Sequence, residues 1–265
     1  MLLLSVPMAV LIIVSGLFGL ITPGFYKLET INWQQQAVAQ DMIDVFLVVP
    51  LLLGSAILSI RKSRKAFYIE AGINLYLVYT YAVYSFGVHF NSFFIIYCVI
   101  FGIAFYCLIL FLFHVIKETD LPKNNHFYPY RFTGIYFVIV SVLFYLLWLS
   151  DIVPAIVRHD VPQALKETGL LTNPIHVLDL AIVLPGIFVT GVLLMRGNSF
   201  AYRLTPVVLT FMVLMDITII FLSVTMFTQG TIKELNSMMI AIMSLQTLVS
   251  LLLLRSSLKI VNENG

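Results

Sequence analysis

The chain has 265 residues, of which 60% are hydrophobic and only 11% carry a charge, and its mean hydropathy is +1.01. Water-soluble domains average about 45–50% apolar and about 25% charged residues, so this composition excludes a soluble globular protein and any large soluble domain. A formal net charge of +2 is too small to indicate binding to nucleic acid. The composition predicts an integral membrane protein whose surroundings are the lipid bilayer.

Apolar runs long enough to cross a bilayer, about 20 residues each, follow one another along the chain. They predict transmembrane helices at 3–23, 41–60, 67–88, 92–116, 132–151, 175–195, 203–226 and 237–257. No basic residue precedes the first run and no cleavage site follows it, so it is interpreted as a span and not as a signal peptide. The predicted fold class is all-α, a polytopic bundle of eight transmembrane helices.

The distribution of lysine and arginine predicts the orientation of this bundle, because short cytoplasmic loops are enriched in both residues. With eight spans, eleven of the fifteen basic residues lie on the side that holds the two termini, and four lie on the other. Both termini are therefore predicted to be cytoplasmic, in a multi-pass protein of the plasma membrane.

The second and sixth predicted spans resemble each other at an offset of 135 residues. Residues 41–66 align with 176–201 without a gap. The matches that carry weight are Asp44 with Asp179, Pro50 with Pro185, and Arg61 with Arg196. Because these residue types are rare or positionally meaningful in apolar segments, they favour a true duplication. It predicts two parallel four-helix repeats, 1–121 and 122–265, related by a pseudo-two-fold axis along the membrane normal.

Acidic and histidine side chains stand at the outer ends of the two related helices. Asp41 and Asp44 occupy positions i and i+3 of one predicted opening turn, and His176 and Asp179 occupy the same positions of the other. A two-fold axis would bring both pairs together in one polar site. Helix capping explains Asp41 best. Asp44 and Asp179 lie inside the predicted spans, where an aspartate is costly and by default marks a function; the alternative is that both are structural partners in buried hydrogen bonds.

Pro50 and Pro185 lie six residues beyond Asp44 and Asp179. A proline cannot donate to the carbonyl four residues back, so each helix is predicted to be kinked, with one carbonyl partly freed. Kinked helices with freed carbonyls at a repeat interface are where carriers hold ions and small solutes.

Asp216 lies near the middle of the seventh predicted span, with Gln246 at a similar depth in the eighth. No lysine or arginine lies at that level, so the carboxyl group is expected to carry a proton, to be hydrated or to bind a cation. The structural alternative is a hydrogen bond between helices. Tyr81 occupies the related position in the first half, 135 residues earlier.

The third predicted span is rich in tyrosine. Tyr76, Tyr79 and Tyr84 fall near one stripe of the helix, where they could line a cavity or stack on a planar or cationic ligand. Ordinary helix packing explains most such residues equally well. The residues predicted to bind a ligand or ion are Asp41, Asp44, Tyr81, His89, His176, Asp179, Asp216 and Gln246.

Three functions fit these features. A carrier for a small solute or ion, with a coupling cation, needs repeats, kinked helices and titratable groups between them, and all three are predicted. A non-catalytic sensor or accessory subunit would bind a ligand without moving it. A membrane-embedded hydrolase would use His176, Asp179 and Asp44 as ligands of a divalent metal, but no H-E-x-x-H motif supports it. The carrier is the leading prediction, and an enzyme is the least favoured.

Overall fold

The computed structural model describes residues 2–117 and 127–263, and every regular element in these two ranges is a helix. The helices are α1 (Leu2–Ile21), α2 (Ile31–Ile60), α3 (Arg64–Gly87), α4 (Phe94–Lys117), α5 (Phe127–Val157), α6 (Gln163–Thr168), α7 (Pro174–Met195), α8 (Ser199–Thr228) and α9 (Ser237–Glu263). We call the end of the bundle where α2 and α7 begin the outer end, and the opposite end the inner end.

Seven helices of the described chain are long and apolar enough to cross a membrane, namely α1, α2, α4, α5, α7, α8 and α9. By length and composition this is an all-α, multi-pass membrane protein. The predicted span at 67–88 corresponds to α3, which is 24 residues long but carries Arg64, Lys65, Glu70 and several tyrosines. These residues lower its hydropathy, so the apolar helices number seven where the sequence predicts eight.

Helix α3 lies in the centre of the bundle, packed against α2, α4 and α8. It begins at the inner end, where the Ser63 hydroxyl caps it by accepting a hydrogen bond from the Ala66 N–H. It ends at Gly87, which lies against Trp33 and Pro174 at the beginnings of α2 and α7. The helix therefore runs from one end of the bundle to the other, and its polar residues are enclosed by protein.

Helix α2 begins at Ile31, well before the predicted boundary at residue 41. The Thr30 hydroxyl caps it by accepting a hydrogen bond from the Trp33 N–H. The Trp33 indole is buried and donates to the Gly87 carbonyl at 2.7 Å. The prediction that Asp41 caps this helix is therefore wrong, because Asp41 and Asp44 lie well inside it.

Two five-residue segments, Asp44–Val48 in α2 and Asp179–Val183 in α7, are π-helical. In each segment an N–H bonds to the carbonyl five residues back, from Val49 to Asp44 and from Leu184 to Asp179. Pro50 and Pro185 lie two residues after the last residue of each segment, and neither has the N–H that a regular α-helix needs. The structure thus places a π-bulge, a recognised cause of helix bending, where the prolines predict a kink.

Further local features of the two halves also correspond at an offset of 135 residues. Ser63 and Asn198 cap α3 and α8. The residues just before these caps, Lys62 and Gly197, adopt left-handed backbone conformations with φ of 62° and 76°. The duplication itself stays a prediction, and its boundary between residues 121 and 122 lies outside the described residues.

The helix contacts follow the same correspondence. Helix α1 packs on α2 as α5 packs on α7, and α3 packs on α4 as α8 packs on α9. Helices α3 and α8, which occupy related positions in the two halves, contact each other in the centre of the bundle.

Glycines allow two close helix contacts towards the inner end. A Cβ atom at Gly191 in α7 would lie 2.7 Å from the carbonyl oxygen of Gly134 in α5. A Cβ atom at Gly72 in α3 would lie 2.4 Å from the Cβ atom of Thr210 in α8. Small residues of this kind let membrane helices approach each other closely, so the inner half of the bundle is tightly packed.

Gly191→Ala is expected to lower the melting temperature of the detergent-purified protein, because overpacking a close contact costs about 1–3 kcal/mol. Gly186, in the same helix, has open space where its Cβ atom would lie. Gly186→Ala is therefore the matched control, and it should be neutral or stabilising because alanine favours helix by about 1 kcal/mol over glycine. Equal melting temperatures for the two variants would contradict the close contact.

Candidate functional site

A cavity of about 390 Å³ lies between α2, α3, α5, α7, α8 and α9. Along α7 its wall extends from Ile175 near the outer end to Ile187, about 18 Å at 1.5 Å per residue. The glycine contact at Gly191 lies further towards the inner end. The cavity therefore occupies the outer part of the bundle, and the close glycine contact lies beyond its wall towards the inner end.

The walls of this cavity are mostly apolar and rich in aromatic rings. The aromatic wall residues are Trp33, Tyr79, Tyr84, Phe144, Trp148 and Phe211, and methionines of α8 and α9 complete the apolar surface. The only two tryptophans of the chain are both in this set. The charged side chains among the described wall residues are two aspartates, Asp179 and Asp216, with no lysine, arginine or histidine.

Asp216, on α8, is only 1% exposed and forms part of the cavity wall. Its Oδ1 accepts a hydrogen bond from Gln246 Nε2 of α9 at 2.7 Å, so the structure brings together the two residues predicted at similar depth. Its Oδ2 has no hydrogen-bond partner among the described residues. A buried polar atom without a partner is costly, so a proton or a donor group of a ligand would stabilise this oxygen.

Asp179, on α7, is the first residue of the second π segment and also lines the cavity. Its Oδ2 accepts a hydrogen bond from Trp148 Nε1 of α5 at 2.8 Å. The ring of His176 packs on the Trp148 ring with a centroid distance of 4.5 Å, and its buried Nε2 has no partner among the described residues. Trp148 therefore links both His176 and Asp179 to α5, and Asp179 forms part of the cavity wall.

The second π segment exposes a carbonyl that another helix satisfies. The Leu184 N–H bonds to the Asp179 carbonyl, five residues back, which leaves the Leu180 carbonyl without its usual α-helical donor. The Tyr145 hydroxyl of α5 donates to this Leu180 carbonyl at 2.7 Å. A tertiary hydrogen bond thus replaces the local one and ties α7 to α5 beside Asp179.

Asp41 and Asp44 belong to a separate cluster that we call the tyrosine cluster, formed with Tyr26, Tyr76, Tyr81, Tyr84 and Gln40. Asp41 accepts hydrogen bonds from Tyr84 at 2.7 Å and from Tyr26 at 2.8 Å. Gln40 Nε2 donates to Asp44 Oδ1 at 2.9 Å, whereas Asp44 Oδ2 has no partner among the described residues. Tyr81 stacks on Tyr84 with a ring-centroid distance of 5.5 Å.

Tyr26 lies in the loop between α1 and α2, outside the apolar helices. Burial, together with the neighbouring charge of Asp41, raises the pKa of the Tyr26 hydroxyl well above its ordinary value. The hydroxyl therefore stays protonated at physiological pH and remains a donor to Asp41. Gly19 of α1 makes room for this contact, because a Cβ atom there would overlap Asp41 Oδ2.

Gln40 and Tyr84 separate the tyrosine cluster from the cavity, since each lines the cavity and also bonds to an aspartate of the cluster. Gln40 Nε2 donates to the Tyr76 hydroxyl at 2.7 Å, and this hydroxyl shares a 2.9 Å hydrogen bond with Thr218 of α8. The structure therefore places the two outer pairs in two adjoining sites, with a polar wall between them.

His89 lies apart from both sites, in the loop after α3. Its Nδ1 is 2.9 Å from Glu29 Oε2, and its backbone N–H donates to Glu29 Oε1 at 2.7 Å. Glu29 is buried, whereas about half of the His89 side chain is exposed. The contact joins the loop after α3 to the loop after α1, so the role that the structure shows for His89 is a structural one.

Sequence reasoning missed Glu29, Trp148 and Glu70 as structural partners. Glu70 of α3 is fully buried, and its Oε1 accepts a hydrogen bond from Ser5 of α1 at 2.9 Å. The available signal was an acidic residue inside a predicted span, which the neighbouring Arg64 and Lys65 obscured because they suggest a charged helix end.

The predicted metal ligands are distributed between the two sites. His176 and Asp179 lie together on α7, whereas Asp44 belongs to the tyrosine cluster. Among the described residues there is no group of three or more histidine, cysteine, aspartate or glutamate side chains that could hold a metal ion. Comparison of the chain with protein-family models, curated proteins and solved structures finds no match.

Tyr84→Phe is expected to reduce the free energy of unfolding by about 1–3 kcal/mol, because it leaves the buried Asp41 Oδ1 without its donor. Tyr106→Phe is the control, since Tyr106 on α4 is 63% exposed. Thermal unfolding in detergent measures both variants. A Tyr84→Phe protein as stable as Tyr106→Phe would show that the hydrogen bond to Asp41 contributes nothing.

Proposed function

We propose that this protein is a carrier for a small solute, that the cavity is its binding site, and that eight helices cross the plasma membrane with both termini in the cytoplasm. The observation that carries the proposal is a cavity whose wall contains Asp179 and Asp216 in the outer part of the bundle, with close glycine contacts between helices further towards the inner end. This is the arrangement expected of a carrier open towards one side of the membrane.

The course of α3 supports the eighth crossing. Its 24 residues span about 36 Å at 1.5 Å per residue, enough for a bilayer core of about 30 Å. Its ends lie beside the inner end of α2 and the outer beginnings of α2 and α7. An even number of crossings also keeps eleven of the fifteen basic residues on the side of the termini, in agreement with the enrichment of cytoplasmic loops in lysine and arginine.

The corresponding π segments and helix contacts support two parallel repeats. In carriers built from repeats, alternating access arises when one repeat or helix bundle rocks against the other around a fixed site. Here α3 and α8 meet in the centre, and the cavity has walls from both halves. A relative movement of the two halves would therefore open the cavity on one side while closing it on the other.

The two halves differ in how they treat the related positions Tyr81 and Asp216. Tyr81 is packed within the tyrosine cluster, where Asp41 has two hydrogen-bond donors. Asp216 lines an open cavity and has one oxygen without a partner. We assign the solute site to the side of Asp179, Asp216 and Gln246, with the tyrosine cluster as the support of its wall.

Cysteine accessibility tests the carrier proposal without knowledge of the solute. Ser223 lines the cavity, and its hydroxyl donates to the Ile219 carbonyl at 2.7 Å. In a Cys98→Ala, Cys107→Ala background, Ser223→Cys in sealed vesicles of defined orientation should react with a membrane-impermeant maleimide applied from either side. Reaction from both sides is the expected result, because a carrier exposes its site alternately.

Ser141→Cys is the matched control. Ser141 makes the same kind of bond, to the Phe137 carbonyl at 2.7 Å, but is fully buried and does not line the cavity. It should remain unreactive from either side. Reaction of Ser223→Cys from the outer side alone would overturn alternating access and favour a sensor or accessory subunit that binds at the same cavity.

A further inference from the structure

The charge of the cavity wall restricts what it can hold. Asp179 and Asp216 are the charged side chains among the described wall residues, and no basic side chain faces them across the cavity. An anionic solute would therefore meet two carboxyl groups and no cation. A cationic solute would compensate them, in a low-dielectric environment where such compensation is worth more than in water.

Asp216 gives this argument a specific atom. The residue is only 1% exposed. Its Oδ1 accepts a hydrogen bond from Gln246, whereas its Oδ2 has no hydrogen-bond partner among the described residues. Buried carboxylate oxygens in proteins are normally paired. An unpaired one in a cavity wall is where a donor or cationic group of a ligand completes the site.

The remaining wall distinguishes an organic cation from an inorganic one. Small hard cations need about six or more oxygen ligands, whereas this wall is mostly apolar. Trp33, Trp148 and Tyr79 line the cavity, and aromatic rings attract organic cations within about 6 Å of the ring centroid. The methionines of α8 and α9 add a flexible apolar surface that adapts to different shapes.

We infer that the solute is a hydrophobic organic cation, such as an amine or a quaternary onium ion with apolar substituents, and that Asp216 and Asp179 hold its charged centre. This inference rests on the proposed function, because it names the substrate class of the same cavity. A volume of about 390 Å³ lies within the range of about 300–1,000 Å³ typical of pockets for drug-sized ligands, so the cavity has the size that an organic cation of this kind requires.

The two tryptophans provide the measurement, because both line the cavity and the chain has no others. Tetraphenylphosphonium and tetraphenylborate have the same shape and opposite charge, so they separate the effect of charge from that of hydrophobicity. Titrated into the detergent-purified protein, tetraphenylphosphonium should change tryptophan fluorescence saturably, and tetraphenylborate should bind at least tenfold more weakly. Equilibrium dialysis against empty micelles corrects for partition into detergent.

Asp216→Asn and Asp179→Asn should each weaken tetraphenylphosphonium binding at least tenfold, while leaving the melting temperature close to that of the parent protein. Asp160→Asn is the control for loss of one negative charge, because Asp160 is exposed and paired with Lys166 at 2.8 Å outside the cavity. The hydrogen bond from Lys166 lowers the pKa of Asp160, so its side chain is charged at neutral pH. This variant should bind the cation as the parent protein does.

Equal binding of the two probes, or unchanged tetraphenylphosphonium affinity in both cavity variants, would overturn the cationic site. The outcomes remain separate from those for the carrier. If the cation fails to bind while Ser223→Cys reacts from both sides, the carrier proposal stands with another class of substrate. If the cation binds while Ser223→Cys reacts from the outer side alone, the cavity is a cation-binding site of a protein that does not transport.

Discussion

A carboxyl group enclosed by membrane-spanning helices needs hydrogen-bond donors, a proton or a cation, because hydrocarbon offers none of these. The arrangement of the bundle follows from how each aspartate meets this need. Asp41 is satisfied by tyrosines of a loop and of α3, and Asp179 by the indole of Trp148 on α5. Asp216 receives a donor on one oxygen only, from Gln246 on α9. These three aspartates thus tie helices together. Among the described residues, Asp44 and Asp216 each have one oxygen without a partner, and of these two residues Asp216 lies in the wall of the cavity.

In the π segments, backbone carbonyl groups have the same need for hydrogen-bond donors as the carboxyl groups. A proline six residues after an aspartate removes one helical N–H, and the helix responds with five-residue segments that begin at Asp44 and Asp179. Carbonyls released in this way also need donors, and Tyr145 supplies one to Leu180. The carboxyl groups and the irregular backbone therefore occupy the same level of α2 and α7, where neighbouring helices can serve both. Towards the inner end, Gly72 and Gly191 allow close contacts between helices.

Much of the helical framework was accessible from hydropathy. The spans predicted at 92–116 and 203–226 agree with α4 and α8 to within a few residues. The predicted boundary of α2 at residue 41 came too late because Gln34, Gln35 and Gln36 are typical of an interfacial segment, whereas Trp33 and its hydrogen bond to Gly87 bury this turn against α3. Helix α3 itself shows the limit of hydropathy, since its tyrosines and Glu70 are enclosed by other helices and never face lipid.

By itself the amino-acid sequence determined that this is a membrane protein and where most of its helices lie. It also determined the spacing that relates Asp44 and Pro50 to Asp179 and Pro185, and the depth shared by Asp216 and Gln246. Each of these features depends on composition or on distances along the chain. Only the tertiary structure decided which donors reach each carboxyl group. In the structure, Asp41 and Asp44 lie among tyrosines, and Asp179 and Asp216 line the cavity. His89 contacts Glu29. Most of these hydrogen-bond partners lie on helices or loops distant in sequence. Which side chains face each other depends on how each helix is rotated about its own axis, and this rotation is set by packing that a local sequence pattern does not predict.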